Sequence, residues 1–142
     1  MKKLVSISAL LLILAIGVSG QNGKKFFRAG EDFVKSLRYE DAIAQFTSAI
    51  DIEPSNSDFY AARGLAYEMI NKYEEAYADY EKAMVFKPKE VDLIIDLGRA
   101  SNKLGKYDEA LTLLNKASGM AKRNSEIYPE KVKTLIAARF CR

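Results

Sequence analysis

Histidine is absent from this 142-residue sequence, and cysteine occurs once, as Cys141. Without histidine there can be no Ser-His-Asp or Cys-His catalytic arrangement and no histidine-ligated metal. One cysteine excludes an intrachain disulfide and a cysteine-rich metal site. We interpret Cys141 as a small part-buried hydrophobe, with an intermolecular disulfide as the alternative. No glycine-rich phosphate loop is present either, so the sequence predicts a non-enzymatic protein without cofactor or metal.

Excess charge of one sign is also lacking, since the net charge is only +3. Without Lys2 and Lys3, which belong to the N-terminal segment described next, it falls to about +1. Such a balance gives no electrostatic case for nucleic acid or an anionic membrane as partner. The length is typical of one domain, and 49% apolar residues suffice for a core.

The sequence has one long apolar run, Leu4 to Val18, which is shorter than the roughly 20 residues of a spanning helix. A basic start precedes the run, and small residues ending at Gly20 follow it. This pattern predicts a secretory signal peptide over residues 1–20, with a retained membrane anchor as the alternative. Its compact form is typical of bacteria, so we expect export to the periplasm, the outer-membrane face or the medium. Membrane association would then require a retained leader or a partner.

From residue 24 onward the apolar residues recur at helical spacings of three and four, and no strand pattern appears. Leu37 falls on the apolar face of the first predicted helix. Ser57 is the predicted N-cap of the third helix and Gly105 the C-terminal cap of the fifth. The predicted helices cover about 24–37, 40–52, 57–70, 74–86, 91–104 and 108–121, with a seventh after residue 125.

The most informative feature is an internal repeat with a period of about 34 residues. Glycine, alanine and large apolar residues recur at matching positions in three units. The first unit has Phe26, Ala29, Gly30, Phe33, Ala42, Phe46, Ala49 and Pro54. The second has Tyr60, Arg63, Gly64, Tyr67, Ala76, Tyr80, Ala83 and Pro88. The third has Ile94, Leu97, Gly98, Ser101, Ala110, Leu114, Ala117 and Lys122.

These units resemble tetratricopeptide repeats (TPRs), with departures at Ala29, Arg63, Ser101 and Lys122. The resemblance implies an all-α fold, an α-solenoid of three helix-turn-helix units over about 23–56, 57–90 and 91–124. Residues 125–142 resemble the family's C-terminal capping helix, so that the TPR domain spans 21–142. At Gly30, Gly64 and Gly98 two helices are expected to approach closely.

The resemblance also implies that the first helix of each unit lines a concave groove that binds a peptide or protein segment. By helical spacing we predict partner-binding residues on all three first helices. They are Phe27, Arg28, Glu31, Lys35, Ala62, Leu65, Met69, Asp92, Ile95, Asp96, Arg99 and Asn102. The same face also carries Glu68 and Lys103.

Two interpretations of this face stay open. Phe27, Leu65, Met69 and Ile95 are candidates for an exposed apolar strip. Alternatively, Phe27 and Ile95 pack against a neighbouring repeat. Arg28, Arg99 and Asn102 are candidates to hold a partner's carboxylate or backbone, and the alternative is an ordinary solvated face.

Some family members clamp the C-terminal carboxylates of chaperones with lysine and asparagine. The equivalent positions in this sequence hold Phe27, Glu31, Ala62, Asp92 and Asp96. Two of these are carboxylates on the third unit, which would repel an acidic tail. The sequence therefore argues against that function.

We predict an exported interaction module, a scaffold or assembly factor in a bacterial cell-envelope complex. The alternative is that the chain is the N-terminal repeat segment of a longer envelope protein. This alternative is based on the seventh helix, whose stripe of Val132, Leu135, Ile136 and Phe140 is rather apolar for a cap.

Overall fold

The computed structural model describes residues 22–121 and 124–140, so the predicted signal peptide lies outside the described residues. The described chain is α-helical and contains no strand. Within it, no helix combines the length and apolar character needed to cross a bilayer. The helices are α1 (22–35), α2 (Tyr39–Ile52), α3 (Ser57–Met69), α4 (Tyr73–Phe86), α5 (Val91–Lys103), α6 (Tyr107–Met120) and α7 (Ile127–Phe140).

The described chain divides into two compact units at the boundary between Ser55 and Asn56. In the first unit, α1 and α2 form hairpin 1. The Phe27 ring lies 5.5 Å from the Phe46 ring, and a Cβ on Gly30 would overlap Phe46. The close helix approach predicted at Gly30 is therefore confirmed.

In the second unit, α3 packs on α4 as hairpin 2 and α5 packs on α6 as hairpin 3. Helices α4 and α5 join the two hairpins, while α7 packs on α6 and also touches α5. A core cluster of aliphatic side chains lies where α5, α6 and α7 meet. Its buried members are Ile94, Ile95, Leu114, Ala117 and Ile127.

The glycines of hairpins 2 and 3 lie at the helix contacts that the repeat predicts. A Cβ on Gly64 would lie 2.9 Å from Cε1 of Tyr80, and one on Gly98 would lie 3.2 Å from Cγ of Leu114. Both distances are shorter than ordinary van der Waals contact. A larger residue at Gly64 would therefore force the Tyr80 ring and its helix to move, whereas one at Gly98 would require a smaller shift of Leu114.

Each hairpin turn places one residue in the left-handed region, at positions related by the repeat. These residues are Leu37 (φ 60°), Asn71 (φ 60°) and Gly105 (φ 74°). The cap predicted at Gly105 is thus confirmed. The prediction for Leu37 is wrong, because α1 ends at residue 35 and the leucine is 72% exposed in the turn.

The N-cap of α3 differs from the prediction by one residue. The Asn56 side chain accepts a hydrogen bond from the Asp58 backbone N–H, as an N-cap does. Ser57 is instead buried, and its hydroxyl donates to the Ala83 carbonyl at 3.0 Å. Ser57 therefore ties the start of α3 to the end of α4.

A bidentate ion pair connects the helices of hairpin 2. Arg63 Nε donates to Asp79 Oδ2 at 2.7 Å, and Nη2 donates to Oδ1 at 2.8 Å. Asp79 is buried, and the guanidinium lies 5.9 Å from the ring centroids of Tyr60 and Tyr67. Arg63, which departs from the family pattern, thus has a carboxylate partner on the facing helix.

A polar contact joins hairpin 2 to hairpin 3. The Tyr77 hydroxyl on α4 donates to Glu109 Oε1 on α6 at 2.7 Å. The Ser101 hydroxyl is 3.3 Å from the same oxygen, and Lys106 Nζ lies 3.6 Å above the Tyr77 ring. Ser101, another departure from the family pattern, therefore takes part in this inter-hairpin contact.

Candidate functional site

In the second unit, α3 and α5 are the first helices of hairpins 2 and 3, and α7 follows them at the next position in the repeat. One face of each of these three helices contributes to a shared surface. This face contains a pocket of about 590 Å³, which we name the polar pocket. It is lined by Glu68, Arg99, Asn102, Lys103, Glu130 and Lys133. Residues far apart in sequence meet there because each helix presents the same register position to this side.

Arg99 is the central cation of the polar pocket. Its Nη2 donates to Asp96 Oδ1 at 2.7 Å, and its Nη1 donates to Glu68 Oε2 at 3.4 Å. The buried Tyr80 hydroxyl on α4 donates to the same Glu68 oxygen at 3.0 Å. These contacts fix the guanidinium in place, so its position does not depend on a ligand.

Burial shifts the acid–base equilibria of this network. It raises the pKa of Asp96 to about 6, against the opposing effect of the neighbouring Arg99. Glu68 and Asp92 add to the rise through like-charge repulsion. Burial also raises the pKa of the Tyr80 hydroxyl, which therefore remains a hydrogen-bond donor. Asp96 thus changes its charge close to neutral pH.

The opposite wall of the polar pocket has a looser arrangement. Lys133 Nζ donates to Glu130 Oε1 at 2.8 Å, and Lys103 Nζ lies 5.5 Å from the Tyr73 ring centroid. The Asn102 side chain on α5 also lines the pocket and supplies both an amide donor and a carbonyl acceptor. The pocket therefore offers paired charges together with an amide that can hydrogen-bond a peptide backbone.

In the second unit, most predicted groove residues are accessible. Leu65 and Met69 on α3 and Asp92 on α5 are exposed, and Ala62 is half-buried. Arg99 and Asn102 line the polar pocket, and Asp96 is ion-paired beside it.

Ile95 is the exception. It is 1% exposed and belongs to the core cluster with Leu114 and Ile127, so it packs against neighbouring helices, as the alternative interpretation predicts, and is not part of an exposed strip. The physical reason is that α6 and α7 together cover the side of α5 on which Ile95 lies.

The first unit carries the remaining predicted residues on α1. Arg28, Glu31 and Lys35 are exposed, and Lys35 pairs with Asp32 at 2.8 Å. Phe27 is half-buried against Phe46 on α2, within its own hairpin. It therefore contributes to packing in hairpin 1 and exposes only part of its ring.

Glu130 and Lys133 are not among the residues predicted from the sequence, because the last helix resembles a cap. The signal was nevertheless present, because adding the period of about 34 residues to Asp96 and Arg99 gives Glu130 and Lys133. The described residues show no group of acidic or cysteine side chains that could hold a metal ion.

Nested hairpins of this length, with glycine and alanine at the helix contacts, define an all-α repeat protein of the solenoid class. The chain belongs to the tetratricopeptide repeat family. Two family models described as tetratricopeptide repeat match it, over residues 27–91 and 71–129. A comparison with curated protein sequences gave no match.

Solved structures of TPR domains are similar along most of the chain. The second TPR of Spaghetti (RPAP3), bound to HSP90 peptide SRMEEVD, is 30% identical with a TM-score of 0.69, covering 71% of this chain and 94% of that one. The second TPR domain of human RPAP3, in complex with HSP70 peptide SGPTIEEVD, is 28% identical with a TM-score of 0.76, covering 84% and 98%. The Arabidopsis OM64 TPR domain is 21% identical with a TM-score of 0.79, covering 83% and 98%.

Proposed function

We propose that this protein is an exported, non-enzymatic TPR module that binds a peptide or protein segment at the polar pocket. In this proposal it acts as a scaffold or assembly factor in a bacterial cell-envelope complex. The observation that carries the proposal is the Asn102 amide, which lines the polar pocket on the first-helix face beside an Arg99 held by Asp96 and Glu68. Prearranged donors of this kind reduce the entropy cost of binding a peptide.

The similar domains support a peptide as the ligand. The RPAP3 domains are described with HSP70 and HSP90 peptides. Because hairpins 2 and 3 have the fold of these domains, an extended segment lying across α3, α5 and α7 is the occupant that the face fits best.

The chemistry of that segment should differ from the chemistry of those peptides, both of which end in Glu-Glu-Val-Asp. Asp92 is exposed on α5, and Asp96 lies beside it with Arg99 already paired to it. An acidic tail would therefore meet carboxylates and a cation that is already neutralised. We propose a neutral or basic segment, whose backbone bonds to Asn102 and whose cations lie near Asp92.

The export part of the proposal is supported by the basic start, the apolar run and the small residues that end at Gly20. Expression of the full chain in a bacterium, followed by fractionation and intact-mass measurement, tests it. A periplasmic species that begins at Gln21 is expected. A full-length species confined to the cytoplasm would contradict export.

A double variant and a control variant test the binding site. The purified chain is used to capture partners from an envelope extract, which are quantified by mass spectrometry. Asn102→Ala combined with Asp92→Asn is expected to lower recovery of the specific partner about tenfold, which corresponds to roughly 1.4 kcal/mol. The control is Asn115→Ala, at an exposed position on α6. Equal recovery with both variants would remove the polar pocket from the function.

The alternative is a repeat segment of a longer envelope protein, and the exposed apolar side chains of α7 favour it. A reading frame that continues past Arg142 into a further domain would support this alternative.

A further inference from the structure

Helix α7 repeats the register of α5 one period later. Three positions on α5 face its hairpin partner α6, and adding about 34 residues gives the equivalent positions on α7. The α5 residues are Ile94, Gly98 and Ser101, and the α7 residues are Tyr128, Val132 and Leu135.

These equivalent positions have opposite accessibility. On α5, Ile94 and Ser101 are fully buried, and Gly98 lies against Leu114 of α6. On α7, Val132 and Leu135 are both 54% exposed, and Tyr128, Ile136 and Phe140 are exposed beside them. We name Tyr128, Val132, Leu135, Ile136 and Phe140 the α7 outer face. Within the described chain, α7 thus has the contact surface of a first helix without a second helix on it.

The opposite side of α7 is already used for packing. Ile127 and Thr134 are fully buried in the contact with the rest of the second unit. A helix that is apolar on two sides is typical of a position between two neighbours. A terminal helix that closes a repeat array has a polar outer side instead. The α7 outer face therefore has the composition of a contact surface.

The α7 outer face borders a small pocket, because Leu135 belongs to both. It lies between α6 and α7 and has a volume of about 230 Å³. Leu111, Leu135 and Ala138 form its apolar lining, and Asp108 and Arg139 complete it. An apolar side chain from an occupant fits this pocket.

The charged residues of α7 indicate the charge that an occupant should carry. Lys131, Lys133 and Arg139 are the cations of α7, and its one acid, Glu130, is bonded to Lys133. Arg139 is one period beyond the turn residue Gly105, so it marks the end of α7 at which a second helix would begin. The described second helices α2, α4 and α6 all carry two acids in the first turn. A helix docked in the same antiparallel orientation would place such acids beside Arg139.

We propose that the α7 outer face binds an amphipathic helix with an apolar stripe and an acidic first turn, docked on α7 as α6 docks on α5. The stripe covers Val132 and Leu135, and the acidic turn pairs with Arg139. A second copy of the same face is a poorer occupant, because it would bring the other copy's Lys131 and Arg139 toward the same two cations.

The test uses the full chain and a designed, fluorescently labelled helical peptide of about 20 residues, long enough to be helical in isolation. The peptide has a leucine and alanine stripe spaced as in α6 and two glutamates in its first turn, and a matched peptide has two lysines there. Fluorescence anisotropy measures the affinity. We expect the glutamate peptide to bind at least about tenfold more tightly than the lysine peptide, and Arg139→Glu to reverse this order.

Substitutions on the chain locate the contact. Leu135→Glu should weaken binding of the glutamate peptide by at least about tenfold, whereas Val85→Glu, at a position 70% exposed on α4, should have no effect. Circular dichroism confirms that both variants remain folded. Asn102→Ala should leave peptide binding unchanged, so this test is independent of the polar pocket.

Three outcomes would overturn the proposal. One is peptide affinity that does not respond to Leu135→Glu or to the charge of the first turn. The second is a dimer in light scattering that Leu135→Glu abolishes, which would make a second copy the occupant. The third is binding to vesicles of anionic phospholipid that the same substitution removes, which would make a membrane surface the occupant.

Discussion

Hairpins 2 and 3 share one backbone register but place different chemistry at the same two positions. In hairpin 2 these positions hold the bidentate ion pair of Arg63 and Asp79. In hairpin 3 they hold Leu97, which is buried, and Leu113, which packs on the aliphatic core. The comparison shows that the repeat fixes which positions face each other and leaves open how the contact is made. Leu97 and Leu113 tolerate small shifts, whereas a buried ion pair depends on both partners.

The largest effect is expected from breaking the ion pair on one side. Arg63→Leu should lower the free energy of unfolding by about 3–5 kcal/mol, because it leaves the Asp79 carboxylate buried without its cation. Arg63→Leu with Asp79→Leu copies hairpin 3 and should restore stability to within about 1 kcal/mol of the original, or above it. Urea unfolding followed by circular dichroism measures both. A double variant as unstable as the single one would contradict this interpretation.

The next largest effects are expected at the glycine contacts, where the same substitution should cost different amounts of stability in the two hairpins. Gly64→Val should cost about 3 kcal/mol, because the facing Tyr80 ring is fully buried and its hydroxyl is bonded to Glu68. Gly98→Val should cost about 1–2 kcal/mol, since Leu114 can change its rotamer.

The control for these glycine variants is Gly119→Ala on α6, where an added Cβ meets nothing within 4 Å. It should be neutral or stabilising by up to about 1 kcal/mol. The same urea titration compares the three variants. Equal losses for Gly64→Val and Gly98→Val would show that the facing side chain does not set the cost.

The free energy of unfolding should depend on pH through Asp96. Its carboxylate is paired with Arg99, which also reaches Glu68 of hairpin 2. The raised pKa of Asp96, about 6, means that the folded protein binds its proton more tightly than the unfolded chain does. The stability contribution of Asp96 is therefore fully present below the unfolded pKa of about 4 and is lost as the pH rises through about 6. Asp96→Asn should remove this slope and raise stability at pH 8 by about 1–2 kcal/mol. Asp51→Asn, on the exposed side of α2, is the control. If stability varied with pH in Asp96→Asn as it does in the original protein, the pH dependence would not come from Asp96.

The turns give the smallest expected effects and extend the comparison to hairpin 1. Leu37→Gly should stabilise the protein by about 1 kcal/mol, because a leucine at φ 60° carries a cost that glycine does not. Gly105→Ala should destabilise it by about 1 kcal/mol for the converse reason. Thermal unfolding of both variants is the measurement, and shifts of the same sign would contradict it.

The helices and their contacts could be predicted from the sequence because glycine, alanine and aromatic residues recur locally and in register. Contacts that depend on three helices at once could not. Helical spacing places Ile95 toward the groove, but α6 and α7 together cover it. The partner of Arg63 is 16 residues away on a different helix, so no periodicity within one helix reveals it.

The candidate site shows the same division. Arg99 and Asn102 were predicted from their spacing on α5, whereas the fixed geometry of Arg99 depends on Glu68 and Tyr80 from hairpin 2. The wall made by Glu130 and Lys133 does not follow from the family resemblance, which implies a capping helix at this position. Its residues follow the repeat only once α7 is counted as a first helix.

The hydrogen bond from Tyr77 to Glu109 has a kinetic consequence. Since it spans from α4 to α6, a local opening of either helix must break it, and Lys106 loses its contact with the Tyr77 ring at the same time. Amide protons in the middle of both helices should therefore exchange with deuterium at a shared rate. Tyr77→Phe would release the two helices to exchange at separate rates.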